Sequence, residues 1–141
     1  IGPETMTGKI STRAEWIKND VVDILRGGVG DLGGLTPLMK VAHLAESFNM
    51  AMEVHGGKEG NLHALGSMRL PGEFYERGLL HPHVDYEKPP DYLHEIMDPM
   101  DEEGFIHMPK GDGLGWKINH DYINDNLISG NDNKEKARRS Y

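Results

Sequence analysis

Between residues 11 and 76 short apolar runs alternate with segments whose apolar residues recur at helical spacing. Residues 11–20, STRAEWIKND, predict a short helix. Thr12 and Glu15 have capping-box spacing there, each side chain placed to satisfy a free backbone N–H. Residues 21–25, VVDIL, are short and apolar and predict a buried strand. Residues 26–34, RGGVGDLGG, carry five glycines and predict a loop, because so much glycine weakens any regular element. Thr36-Pro37 then opens the clearest helix, as N-cap and first-turn proline. Its apolar face is Leu38, Val41, Ala42, Leu44, Ala45 and Phe48, and Asn49 ends it. Residues 50–54, MAMEV, predict a second strand, broken by His55-Gly56-Gly57. Asn61 caps a third helix to Arg69, and Pro71-Gly72 turns the chain into a third strand, Glu73 to Glu76.

The strand ends near Arg26, Val54 and Glu76 lie roughly 28 and 22 residues apart, the cadence of βα units with right-handed crossovers and a parallel sheet. After Glu76 the pattern changes. Residues 77–104 are rich in proline and acid. Asp91 to Met97 predict one or two helical turns, Phe105 to Met108 a strand pairing with Trp116 to Ile118, and Asp121 to Ile128 a closing helix. Residues 129–141 are almost devoid of apolar side chains and predict a polar, disordered tail.

A length of 141 residues suits one domain. With 18 glycines and 8 prolines the chain is loop-rich without reaching low complexity. Fifteen basic and 23 acidic residues give a net charge of −8, which argues against phosphate backbones and anionic membranes. The absence of cysteine removes disulfides, thiolate metal sites and cysteine nucleophiles. No apolar run approaches the roughly 20 residues of a membrane span. The opening IGPETMTGK lacks an initiator Met and a signal-peptide layout, so the chain reads as entered partway through a longer, cytoplasmic sequence.

Parallel βα units gather functional residues at the C-terminal ends of strands. Four positions qualify: Glu4 ahead of the first helix, Gly27-Gly28, His55 and Glu76. Two carboxylates and an imidazole at successive strand ends suit metal binding with acid–base work. Each has a plainer reading. His55 is an ordinary loop histidine unless the following glycines admit a ligand. Glu76 pairs with Arg69 or Arg77, Glu4 is solvated, and Asp31 serves the turn. His43 and Glu46 lie on the amphipathic helix as surface residues. His81 and His83 with Asp85 form a possible metal clip, and the glycine run has neither phosphate-loop order.

Set in order, several segments resemble a known family. They are GPE near the start, VVDIL followed by the loop and GGLT, the helix KVAHLAE, the strand ending His55-Gly56, YERGLLHP, and DEEGFIHMPKGDGLG. Together, over residues 1–128, they are similar to the later barrel units of the enolase superfamily, in its mandelate racemase and muconate-lactonizing branch. The resemblance implies an α/β fold, the C-terminal part of a modified (β/α)7β barrel. Residues 1–96 would be its last βα units, and 97–128 a segment returning to a capping domain. It also implies Mg²⁺-assisted removal of a proton α to a carboxylate. Racemisation, cycloisomerisation and loss of water from a sugar acid all follow such a step.

Carried over, Glu4 would be the third metal carboxylate, His55 the acid or base of the seventh strand, and Glu76 the partner of the substrate carboxylate. The aspartate that orients the family's histidine falls at Gly28, with Asp31 as a possible substitute. The Lys-bearing second strand and two metal carboxylates have no counterpart in these residues. The expectation is the C-terminal part of an acid-sugar dehydratase or racemase-like enzyme, inactive alone, acting on a small carboxylate and associating with itself or a complementary N-terminal half. The alternative is a non-catalytic module acting by association.

Overall fold

A computed structural model describes residues 1–2, 9–57, 60–72, 74–77 and 88–128. Helix α1 spans Ile10–Lys18. It starts one turn before the predicted capping box, so Lys9 is the N-cap and Thr12 and Glu15 lie inside the helix. Strand β1 is Leu25–Gly27 rather than 21–25. Val21 points to solvent at 61 % exposure. The paired backbone decides this shift. Leu25 N–H bonds to the Ala51 carbonyl at 3.1 Å and Arg26 N–H to the Gly2 carbonyl at 2.8 Å, which draws Arg26 and Gly27 into the ladder. Gly27 suits its place, because a Cβ there would meet Leu32 Cδ1 at 2.9 Å.

The glycine run is not all loop. Val29–Leu32 forms a single helical turn, α2, and Gly33 closes it in the left-handed conformation at φ 81°. Helix α3, Leu35–Ser47, begins with Gly34 as N-cap, which puts Thr36 and Pro37 in its first turn. It buries Leu38, Val41, Ala42 and Ala45. Of the remaining predicted face, Phe48 is 60 % exposed. Strand β2 is Met52–Val54 and α4 is Asn61–Ser67, with Gly60 rather than Asn61 as N-cap.

Strands β1 and β2 run parallel in the register Leu25–Met52, Arg26–Glu53 and Gly27–Val54. Single parallel bridges extend the sheet, Gly2 beside Leu25 and Pro71 beside Met52. Four segments thus lie side by side in chain order, joined through α1, α2–α3 and α4, which is the predicted βα cadence. The fourth segment pairs at Pro71, and residues 74–77 form no strand. Both strands alternate buried, half-buried, buried. Leu25, Met52 and Val54 face the helices, and the first two join Val22, Leu32, Leu38, Val41, Ala42, Ala45 and Ala64 in the core. Arg26 and Glu53 therefore occupy the opposite face.

Arg13 of α1 is wholly buried. Its guanidinium bonds the Arg26 carbonyl at 2.8 Å and Asp31 Oδ2 at 3.2 Å, tying helix, strand and glycine turn together. Burial lowers its pKa while the charge and hydrogen bond of Asp31 raise it, with a net fall.

Residues 88–128 are mostly irregular. Leu93 bridges Ile118 and Met100 bridges Ile106, so the predicted pairing of 105–108 with 116–118 is replaced by two separate antiparallel contacts. Residues 91–97 make turns, not helix. The closing helix α5 is His120–Asp125, capped by Asn119, whose side chain accepts from Tyr122 N–H at 3.1 Å. This region docks through Tyr75 Oη on Asp98 at 2.9 Å, Arg77 Nε on the Asp98 carbonyl at 3.0 Å, and His63 Nε2 against the Leu114 carbonyl at 3.1 Å. The predicted tail lies outside the described residues.

Candidate active site

His55 directly follows β2. Its N–H bonds to the Gly27 carbonyl at 2.9 Å, prolonging the ladder by one residue. Two residues beyond Glu53, its side chain shares the face that carries Arg26. Gly56 then adopts φ 77°, a left-handed turn that suits glycine. Glu76 arrives from the fourth segment. Three side chains meet here. Arg26 Nη2 lies 2.7 Å from His55 Nδ1 and 2.7 Å from Glu76 Oε2, and Nδ1 lies 3.0 Å from the same oxygen. The Gly56 N–H adds a bond to Oε2 at 3.3 Å. The cluster is partly open, with side-chain exposures of 27 % for Arg26, 35 % for His55 and 38 % for Glu76.

Burial pushes the Glu76 carboxyl upward. The hydrogen bonds from Arg26 and Gly56 and the neighbouring His55 outweigh that, and its pKa falls below the ordinary carboxylate range. The site therefore holds a fixed anion and a fixed cation against an imidazole.

Asn61, 2 % exposed, supports the strand end. Its Oδ1 accepts the Val29 N–H at 2.8 Å, and its Nδ2 donates to the His55 and Gly56 carbonyls at 3.0 Å each. One amide thus clamps the turn after β2 to the start of α2. A buried Asn after a glycine pair gave only a capping signal in the sequence. Arg26 carries no such signal, because the apolar run 21–25 ends just before it and leaves it at the head of the glycine loop.

The structure brings His55 and Glu76 together and separates Asp31 from them. Asp31 Oδ1 accepts the Gly28 N–H and Oδ2 bonds Arg13, so this carboxylate caps α2 and neutralises a buried cation. Gly28 itself packs so closely on the His55 carbonyl that a Cβ would collide with it. Glu76 pairs with Arg26, while Arg69 pairs with Glu46 at 2.6 Å and Arg77 lies beside Asp98. Glu4, His81, His83 and Asp85 lie outside the described residues. Among the described residues no group of three or more His, Asp or Glu side chains is placed to hold a metal ion.

Residues 1–122 match the family model described as enolase C-terminal domain-like. The crystal structure of D-glucarate dehydratase from Agrobacterium tumefaciens complexed with magnesium is similar to this chain at 49 % identity and a TM-score of 0.81, over 90 % of this chain and 33 % of that one. A D-galactonate dehydratase family member from Enterocloster bolteae is 33 % identical over 57 residues, 38 % of this chain and 14 % of that protein. The chain spans about a third of the solved relative and less of the other. The chain belongs to the enolase C-terminal domain-like family and is an α/β, C-terminal part of the enolase superfamily in its mandelate racemase and muconate-lactonizing branch.

Proposed function

We propose that this chain forms the C-terminal part of an acid-sugar dehydratase, with His55 and Glu76 at its reaction centre. The observation that carries this reading is the convergence of Arg26 on β1, His55 just after β2 and Glu76 of the fourth segment. The two dehydratases that the chain resembles support the substrate class.

In such a dehydration, the C–H bond α to a carboxylate and the C–O bond of the neighbouring hydroxyl both break. The proton and hydroxide leave as water, and the resulting enol becomes a 2-keto acid. An imidazole at the strand end can serve on the acid side of that exchange, donating from a ring N–H to the departing hydroxyl. A carboxyl group beside it can orient the substrate carboxylate only through a shared proton or cation, and Arg26 supplies the cation here. A sugar acid or other small carboxylate would thus meet one cation, one anion and one imidazole.

The described residues supply no three-carboxylate cage for Mg²⁺. The magnesium in the solved relative supports Mg²⁺ as the cofactor, with Glu4 as a candidate ligand and the other two carboxylates supplied from outside these 141 residues. When bound, the ion would stabilise charge on an enolised carboxylate.

The test is a screen of hexaric and hexonic acids with Mg²⁺, read as 2-keto acid formation. A longer polypeptide containing this chain should turn over at least one acid, and His55→Asn should lower its kcat by about 100-fold or more. The 141 residues alone should show no turnover. Full activity in the His55→Asn variant would remove His55 from the chemistry.

A further inference from the structure

We propose that Arg26 is a positioning residue that fixes the tautomer of His55, holding the proton on Nε2 so that the neutral imidazole enters the site as a hydrogen-bond donor. The inference deepens the dehydratase reading and rests on it for the substrate, though not for the tautomer itself.

Three observations combine. First, a guanidinium has only donors, and Arg26 Nη2 stands 2.7 Å from Nδ1. In that contact Nδ1 offers a lone pair, whereas its contact with Glu76 Oε2 at 3.0 Å would need a proton there, and the shorter contact is the one to Arg26. Second, the carboxylate at Nδ1 is Glu76, and Asp31 is not available to it. Gly28 has no room for a side chain beneath the His55 carbonyl, and both oxygens of Asp31 are engaged by Gly28 N–H and Arg13. Third, Glu76 has donors besides His55. Its Oε2 already receives Arg26 Nη2 at 2.7 Å and the Gly56 N–H at 3.3 Å.

A carboxylate on Nδ1 leaves a basic lone pair on Nε2, whereas a guanidinium on Nδ1 leaves an N–H there. In this form His55 cannot accept a proton at Nε2. It donates a hydrogen bond from Nε2 to a substrate oxygen and polarises it, as a neutral imidazole can. Among the described residues the charged groups in contact with the ring are Arg26 from β1 and Glu76 from the fourth segment, and Glu53 of β2, beside Arg26 in the register, shares its face.

The test is imidazole nitrogen NMR on the ¹⁵N-histidine-labelled protein, at a pH where the spectrum itself shows a single proton on the ring. His55 is assigned by the resonances lost in His55→Gln. In the wild type, Nε2 should appear protonated and Nδ1 unprotonated. In Arg26→Met the proton should move to Nδ1, because Glu76 then becomes its acceptor. Glu76→Gln should leave it on Nε2. A wild-type proton on Nδ1 overturns the proposal, as does an unchanged tautomer in Arg26→Met or a switch in Glu76→Gln. If Arg26→Met fails to fold, the wild type and Glu76→Gln still decide. The readout needs no turnover, so loss of the dehydratase reading would leave it standing, and an unexpected tautomer would overturn it with activity intact.

Discussion

Residues 9–72 and residues 88–128 are built on different principles. In the first stretch, Leu25, Leu38 and Val41 have no exposed surface and Met52 has 1 %. In the second, Leu93 is the one buried large apolar side chain, while Tyr92, Met100, Phe105, Met108, Ile118 and Leu127 are exposed by 43 % or more. The first stretch makes regular elements whose own periodicity selects their buried face. The second takes its shape from isolated bridges and from polar docking onto the first. Local sequence pattern therefore suffices for one region, and the other depends on where its neighbours hold it.

The largest effect that would sharpen this contrast is a cavity in α3. Leu38→Ala removes a side chain with 0 % exposure, packed between helix and sheet, and should cost about 3–5 kcal/mol. Phe105→Ala removes a larger side chain that is 60 % exposed, and should change stability by no more than about 0.5 kcal/mol. Denaturant midpoints of the two variants check both. Equal losses would mean that the second region carries a core of its own.

The same division decided what was legible in the sequence. The βα order, the long helix and the meeting of His55 with Glu76 follow from apolar period and strand-end spacing, and all are present. The edges of elements were not legible. β1 lies later than the apolar run because hydrogen bonds from Gly2 and β2, not hydrophobicity, choose its residues. α2 arises inside a glycine run because Asp31 caps it and Arg13 anchors that cap. Arg26 escaped notice for a related reason. A cation in a supposed loop carries no signal until the register with Glu53 puts it on the site's face. In 88–128 the pairing of Met100 with Ile106 closes a turn organised by Asp101, whose Oδ1 accepts from Glu103 and Phe105 N–H. That interaction competes with the strand pattern on which the prediction rested.

The seam between the regions is the next place to break the comparison. Asp98 is 1 % exposed, receives Tyr75 Oη at 2.9 Å and lies 3.9 Å from Arg77 Nε. Asp98→Asn keeps the volume and removes the charge, and should cost about 2–3 kcal/mol. Hydrogen exchange gives the sharper readout. Amides in 88–128 should lose protection while those of α3 and β2 keep theirs, as expected where a docked region opens separately. Uniform loss would show a single cooperative unit, and the contrast drawn above would then be one of appearance only.

The smallest effect comes from the site itself, which joins β1, β2 and the segment leading to the seam. Glu76 has its folded pKa held below the ordinary value of 4.5, with burial opposing the hydrogen bonds from Arg26 and Gly56 and the neighbouring His55. A depressed carboxylate pKa means that the unfolded chain binds the proton more readily. Its contribution to stability is thus complete above pH 4.5 and is lost as pH falls through the lower, folded value. Glu76→Gln should flatten that acid limb and leave the profile above it parallel to the wild type. Because the side chain is 38 % exposed, solvent screens the pair, and the difference near neutrality should stay below about 1 kcal/mol. Thermal midpoints taken through the acid range measure it. An unchanged acid limb would show that the Arg26–Glu76 contact orders the site without stabilising the fold. The carboxyl of Asp101 is likewise held low, first by the Phe105 N–H and then by His107.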